Sequence, residues 1–369
     1  MKSNHSFDTL IVGGGLVGAA IACGIAATGS KVAVLDGGDR DFRASRGNFG
    51  LIWVQGKGAD FPAYARLSGI SARQWADFSD ELRDATGIDV GLQQTGGYDF
   101  CLTPEEWEAR EWEMRQVAAH TEGEFEYQML DQAELRKRIP EVSSDLLGAS
   151  FSSQDGHVNP LYLLRALHQR MHHLDVDYHA AQTVQSSRQQ DGEFIVSTRD
   201  ADYHAERVVF CAGLSNQRLC RDLDMRIPVQ PLRGQLLITD RVPRFLPAAT
   251  LQVRQTAEGT LQIGDSHEDV GLDEAATLEV ITRLARRAVR IFPHLAQVRL
   301  NRAWGALRVM TPDGVPIYHR STKHPGAFAV SCHSGVTLAA FHARQLADWI
   351  CSDVEDPLMT QFSAERFNV

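Results

Sequence analysis

The stretch LIVGGGLVGAAIACGIAATG (residues 10–29) carries no charged side chain over twenty residues. Such a run is about as long as a membrane-spanning helix, and near the first residue it also resembles a secretory signal. Its internal order points elsewhere. Residues 7–12 read as a short buried strand, and Gly13, Gly15 and Gly18 then form G-x-G-x-x-G, with small residues continuing through Ala22. Residues 31–36 read as a second strand that ends in Asp36, 18 positions after Gly18. A strand, a glycine turn, a helix and an acid at that spacing form the dinucleotide-binding βαβ unit. Gly13 permits the tight turn, Gly15 lets backbone approach a pyrophosphate, and Gly18 and Ala22 let the helix pack closely on the strands. The helix N-terminus, with Leu16 and Val17, offers N–H groups and a positive dipole end to phosphates. Asp36, followed by Gly37, can accept hydrogen bonds from ribose hydroxyls. Three glycines where a spanning helix would begin, and no basic n-region or small-residue cleavage site, argue against membrane and signal readings.

Composition bounds the remaining possibilities. A chain of 369 residues suits two domains, and 43% hydrophobic with 23% charged residues is ordinary for a globular protein. A net charge of −10 with no basic block gives no footprint for nucleic acid or an anionic lipid surface. The six cysteines form no CxxC pair, so they read as small buried apolar residues in a reducing compartment, and no metal site is expected. The expected location is the cytoplasm.

NAD and FAD both use the glycine turn, so the rest of the chain must discriminate between them. After Asp36 the pattern breaks into a loop, residues 44–50, and then charged helical stretches at 63–83 and 104–119. Buried strands reappear only at 207–216, ending in Gly and polar residues, and at 327–335, the second followed by an amphipathic helix over 336–350. Pieces of one sheet scattered along the chain mean a discontinuous nucleotide domain, which favours FAD.

The motifs along the chain carry a resemblance. They are GGGLVG; Ser45, Asn48 and Gly50 as S-x-x-N-x-G; DGHVNP (155–160); VVFCAGLSN (208–216); PLRGQLL (231–237); GALRVMTPDGVP (305–316); and CHSGVTLAA (332–340). In this order they resemble the D-amino-acid-oxidase superfamily of FAD enzymes. Within it, the chain is similar to glycine and sarcosine oxidases, to the flavin subunits of opine and D-hydroxyproline dehydrogenases, and to the hydrogen cyanide synthase flavin subunit. Flavoproteins of this type more often place Glu where this chain has Asp36.

The resemblance implies an α/β plus α+β architecture: a discontinuous Rossmann-like FAD-binding domain with an inserted substrate domain on a mostly antiparallel sheet. The FAD domain would comprise 1–90, 145–222 and 305–369, and the substrate domain 91–144 and 223–304. Alternating apolar runs at 235–239 and 260–264 suit a half-exposed antiparallel sheet, and 278–292 has helical spacing. The cofactor residues implied are Gly13, Gly15, Leu16, Val17, Gly18, Asp36, Gly37, Ser45, Arg46, Asn48, Gly50, Val184, Cys211, Ala212, Gly213, Arg308 and the loop His333, Ser334, Gly335, Val336 and Thr337.

Two of these bear on chemistry. The resemblance gives Arg308 the substrate carboxylate, a task that suits a planar fork with two parallel donors; the alternative is an ordinary exposed or salt-bridged arginine. It lays the 332–337 loop along the pyrimidine edge of the flavin, where a helix N-terminus would favour the negative charge of reduction. His333 then either transfers a proton or packs beside the ring. Pocket candidates are Trp53, Gln55, Tyr98, His267 and Glu268, each also explicable as a loop or packing residue. A covalent flavin link is not expected, because no cysteine falls within 307–310.

The implied reaction is hydride transfer to flavin N5 from the amine-bearing carbon of an amino-acid-like amine of the opine, D-hydroxyproline or D-proline type. PLRGQLL, CHSGVTLAA and DGHVNP resemble the flavin subunits of dehydrogenase complexes, so partner subunits carrying FMN or iron–sulfur clusters are implied, with peripheral membrane association only through such a complex. The alternatives are a stand-alone glycine/sarcosine-type oxidase that releases peroxide, a non-catalytic flavin-binding subunit and an NAD-dependent dehydrogenase.

Overall fold

The computed structural model describes residues 4–38, 44–352 and 354–368. Its largest sheet grows from the opening stretch. Strand β1 (Asn4–Val12) leads through the glycine turn into helix α1 (Leu16–Ala27) and then strand β2 (Val32–Leu35), parallel to β1. Across the sheet the order is Ile317–Arg320, Ala327–Ser331, Asp202–Phe210, β1, β2, Asp177–His179. The neighbours pair in parallel except the Ile317–Arg320 edge, and an antiparallel pair, Ser186–Gln190 with Glu193–Ser197, joins Asp202–Phe210.

Both faces are covered, which explains why these strands read as unbroken apolar runs instead of alternating ones. Ile11, Val34 and Val209 point into one core with α1 and the helix Pro160–His173. Leu10, Val12, Leu35 and Phe210 point into a second core on the other face. Helix α1 has no charge because most of its residues are buried. Gly18 packs against the turn it leaves, and a Cβ there would overlap the Gly13 carbonyl oxygen. The open end of the sheet thus lies at the C-terminal ends of β1 and Asp202–Phe210, where a doubly wound sheet binds ligands.

A third core holds the rest of the chain. One four-stranded sheet pairs Gln230–Arg241 antiparallel with Thr260–Ile263 on one side and Leu300–Met310 on the other, and Val253–Gln255 completes it. A second combines Gly97–Cys101, Gly148–Ser152 and Gln128–Asp131, antiparallel, with Ala249–Thr250. Helix Leu278–Ile291 lays Val280, Leu284, Ala288 and Ile291 onto this core.

Strand pairing shifts two boundaries expected from the motifs. Gly148–Ser152 lies beyond position 145 yet pairs within the substrate-side sheet, and Leu300–Met310 crosses position 305 as one continuous strand of that side. Motif edges mark where chemistry is carried, whereas hydrogen bonding decides which sheet owns a strand. The helix expected from 336 starts later: residues 335–338 form turns, and Ala339–Phe341, His342–Leu346 and Ala347–Cys351 follow as α, π and α segments. No helix among the described residues is long and apolar enough to cross a membrane.

Candidate active site

Two neighbouring cavities meet at the C-terminal end of the main sheet. The first is lined by Gly13, Gly15, Leu16, Val17, Asp36, Gly37, Ser45, Asn48, Val184, Cys211, Ala212, Gly213, His333 and Gly335, among others. Gly13 has φ +109°, a left-handed-side conformation that L side chains resist, and a Cβ there would stand 2.5 Å from the Cys211 carbonyl oxygen. Gly15 gives α1 no side-chain cap, and Leu16 N–H donates to Ser45 Oγ at 3.0 Å. Asp36, at the end of β2, accepts from the Gly14 and Gly38 N–H groups at 2.6 and 2.7 Å, which fixes its carboxylate in the cavity wall.

The remaining motifs shape the same cavity. Asn48 Oδ1 accepts from Gly50 N–H at 2.6 Å, and Gly50, with φ +86°, tucks against the Val158 carbonyl. Asn216 Nδ2 bridges Phe210 O, Val330 O and Ser331 Oγ at 2.9–3.0 Å, while its Oδ1 accepts from Ala212 N–H at 2.8 Å. This one side chain ties two parallel strands together beneath the 211–213 turn.

The second cavity, about 320 Å³, shares Ala44, Asn48, Val309 and His333 with the first and adds Trp53, Lys57, Gly234, Leu236, Asp265, His267, Arg308, Met310, Ser334, Val336 and Thr337. That volume admits a ring edge and a small molecule, not a macromolecular segment. Arg308 projects from Leu300–Met310, its side chain 22% exposed. It is ion-paired with Asp265, and its Nη1 donates to Ser266 O at 2.9 Å. Gly234 on the facing strand makes room for it, since a Cβ there would fall on the guanidinium.

The 332–337 loop is held from below. Thr337 Oγ1 accepts from Trp53 N–H at 3.2 Å and donates to Leu51 O at 3.3 Å. The Thr337 carbonyl accepts from Ser71 Oγ and Trp75 Nε1 at 2.7 and 3.1 Å. Ser334 Oγ receives Lys57 Nζ at 2.6 Å and lies 2.8 Å from Tyr64 OH and 3.3 Å from His333 Nε2. Burial, aided by Lys57, Arg308 and His267, pushes His333 well below its ordinary value, so its ring is neutral at physiological pH. Burial pushes the Cys332 thiol up to about 12, which leaves it protonated and inert.

Several expected residues lie elsewhere. Glu268 does not line the cavity; it accepts from Arg233 Nη2 at 2.7 Å, Ser266 Oγ at 2.6 Å and Gln235 Nε2 at 3.0 Å. Burial alone would raise its pKa, but these donors outweigh burial and hold it low. Tyr98 is buried in the neighbouring sheet, its ring 4.8 Å from that of Phe151. Gln55 is buried and donates to Asp155 Oδ2 at 2.5 Å and Gly97 O at 3.0 Å, so it fastens the chain beneath the site. Asp155, its own value pushed up to about 7 by burial, also accepts from Val54 N–H at 2.6 Å. Arg46 lines a separate cleft with Arg165 and His168, and Gly18 and Gly50 act through packing. The sequence reading missed Lys57, Tyr64 and Asp265, which lie outside the quoted motifs and meet only through tertiary contacts; Gly234 lies within PLRGQLL but was not singled out.

A cavity whose lining combines Asp36, the N-terminus of α1 and the His333 and Gly335 loop suits a dinucleotide. A protein-family model described as FAD dependent oxidoreductase matches residues 8–349. The chain belongs to that family. It is thus an FAD-dependent oxidoreductase, and the fold is that of its D-amino-acid-oxidase branch. It is 42% identical over 365 residues to an opine oxidase subunit of Agrobacterium tumefaciens, covering 99% of this chain and 98% of that protein. The corresponding opine oxidase subunit of Rhizobium meliloti is 41% identical over the same length and coverage. Among solved structures, glycine oxidase from Geobacillus kaustophilus superimposes with a TM-score of 0.87 over 97% of this chain and 98% of that one, at 24% identity. The last comparison speaks to the fold alone.

The residues present fit FAD. Gly13 and Gly15 keep side chains out of the cavity where backbone must meet phosphate, and Asp36 is already oriented by two backbone donors. The 334–337 turn borders both cavities, Gly335 lining the first and Ser334, Val336 and Thr337 the second.

Proposed function

We propose that the chain oxidises the C–N bond of an amino-acid-like amine, of the opine, D-hydroxyproline or D-proline type, as the flavin subunit of a multi-subunit dehydrogenase. The observation that carries this reading is Arg308, a guanidinium opening into a small cavity that shares a wall with the dinucleotide cavity. FAD held by the residues of the first cavity would supply a two-electron oxidant for the amine-bearing carbon.

The chain's own residues supply binding, orientation and charge. Arg308 would hold the substrate carboxylate through the donors it does not spend on Ser266 O, with Asp265 as the group that orients it. Trp53, Leu236 and Met310 close the cavity with apolar surface and exclude water. His333 is a weak base because burial and two cations keep it neutral, so its role is positioning. The amine must lose its proton before oxidation, because a protonated nitrogen has no lone pair to stabilise a developing iminium. Loss of hydride leaves an iminium; an open-chain iminium hydrolyses to a carbonyl acid and the freed amine, and a ring amine leaves a cyclic imine.

A role within a complex is supported by the two opine oxidase relatives, each of which is one subunit of its enzyme and matches this chain almost end to end. Any iron–sulfur centre would belong to a partner, since the six cysteines of this chain are dispersed along the sequence. The test is anaerobic: the FAD-loaded protein should bleach with carboxylated secondary amines. Release of peroxide by the isolated chain at the rate of substrate turnover would instead establish a stand-alone oxidase.

A further inference from the structure

Lys57 belongs neither to the dinucleotide cavity nor to the Arg308 ion pair. It leaves the loop after Leu51–Ile52 and lines the same cavity as Arg308. Its Nζ donates to two hydroxyls, Ser334 Oγ at 2.6 Å and Tyr64 OH at 3.3 Å. The acid within electrostatic reach, buried Asp155, spends its oxygens on Val54 N–H and Gln55 Nε2. Among the described residues no carboxylate pairs with Lys57, whereas Arg308 is paired with Asp265. A half-buried cation held by neutral hydroxyls keeps its charge available to an anion that enters later.

We infer that Lys57 is the anchor for a second carboxylate, so that the cavity selects amines whose nitrogen bears two carboxylated carbon substituents. Arg308 takes one carboxylate and Lys57 the other, with the amine between them beside the shared wall at His333. This inference rests on the amine-oxidation reading and narrows its substrate class. His333 lies within reach of both cations and stays neutral, so it adds no competing charge to the space between them.

Ether probes test this without oxidation. Diglycolate carries a carboxylate on each side of an ether oxygen, methoxyacetate carries one, and neither can form an imine. Each is titrated into the FAD-loaded protein, with whatever subunits co-purify, and binding is read from the flavin absorbance. The wild type should bind diglycolate about tenfold or more tightly than methoxyacetate, as one charge-assisted contact provides. Lys57→Met should bring diglycolate down to the methoxyacetate value and leave methoxyacetate within about twofold; Lys57→Arg should keep a preference. Equal binding of the two probes by the wild type overturns the inference with no variant needed. So does an equal loss for both probes in Lys57→Met, the pattern expected if the lysine serves the cofactor or only the packing. Discrimination between the ethers in a protein that no amine bleaches would uphold the two-anchor cavity and refute amine oxidation, so the two failures separate.

Discussion

Replacing Arg308 by Met removes the guanidinium and keeps most of the side-chain length. In the structure Arg308 makes two contacts, to Asp265 and to Ser266 O, and its side chain remains 22% exposed where it meets the cavity. Removing one member of a buried, hydrogen-bonded charge pair costs about 2–5 kcal/mol. The partial exposure and the neutralising Asp265 place this site at the low end, about 2–3 kcal/mol, or roughly 30- to 150-fold in affinity. The assay is a titration of FAD-loaded protein with methoxyacetate, followed through the flavin absorbance, so that no catalytic step enters. Arg308→Met should raise the dissociation constant by that factor while the protein stays yellow, because Asp36 and the α1 turn remain. Arg308→Lys should recover only part of the loss, since an ammonium cannot bind both oxygens in the plane of a fork. A change below about threefold in Arg308→Met, with FAD still bound, would refute the placement of a carboxylate at this residue.

Three further perturbations read other parts of the structure. Gly18→Ala forces a methyl group onto the Gly13 carbonyl oxygen, and overpacking of this kind costs about 1–3 kcal/mol; a lowered denaturant midpoint and weakened FAD retention are expected, and an unchanged midpoint contradicts the packing account. Asp36→Ala removes the acceptor for two backbone donors, each charge-assisted bond being worth about 1.5–3 kcal/mol; FAD should be released at lower denaturant, measured by fluorescence of the freed flavin. His342 is buried, shares a 2.8 Å hydrogen bond with Tyr318 OH, and is pushed down to about 3 by burial. Its folded value lies below its unfolded one, so the unfolded chain binds the extra proton and stability falls as pH drops below about 6.5 toward 3. Between pH 7 and pH 5 the wild type should lose about 2 kcal/mol more than His342→Gln, whose side chain never charges; parallel losses in urea titrations would show that His342 takes up its proton while folded.

The opening βαβ unit was legible because its reasons are local. Gly13, Gly15, Gly18 and Asp36 each answer a demand made within thirty residues of chain, and the structure places three of them around the first cavity and Gly18 beneath its turn. The split of the main sheet was also legible, since strands buried on both faces stand out as apolar runs wherever they fall. The domain edges were not. Gly148–Ser152 and Leu300–Met310 are assigned by their partners Gly97–Cys101 and Gln230–Arg241, which no local pattern announces. Glu268 shows the same limit from the other side: a carboxylate after a pocket-facing strand looked available, but Arg233, buried on the adjacent strand, takes it up. Lys57 was passed over for the converse reason. Its partners Tyr64 and Ser334 come from a helix and a loop 270 residues apart.

Oxidation of a carboxylated amine by the bound flavin is the central claim, and one anaerobic experiment addresses it. The FAD-loaded protein, purified with the subunits that accompany it, is mixed without oxygen with opine-type secondary amines, D-hydroxyproline and D-proline, and the flavin absorbance is followed. Bleaching by at least one of them, with a carbonyl acid or cyclic imine formed in proportion to the flavin reduced, is the predicted result. Flavin that dithionite reduces but that none of these amines bleaches at any concentration would contradict it.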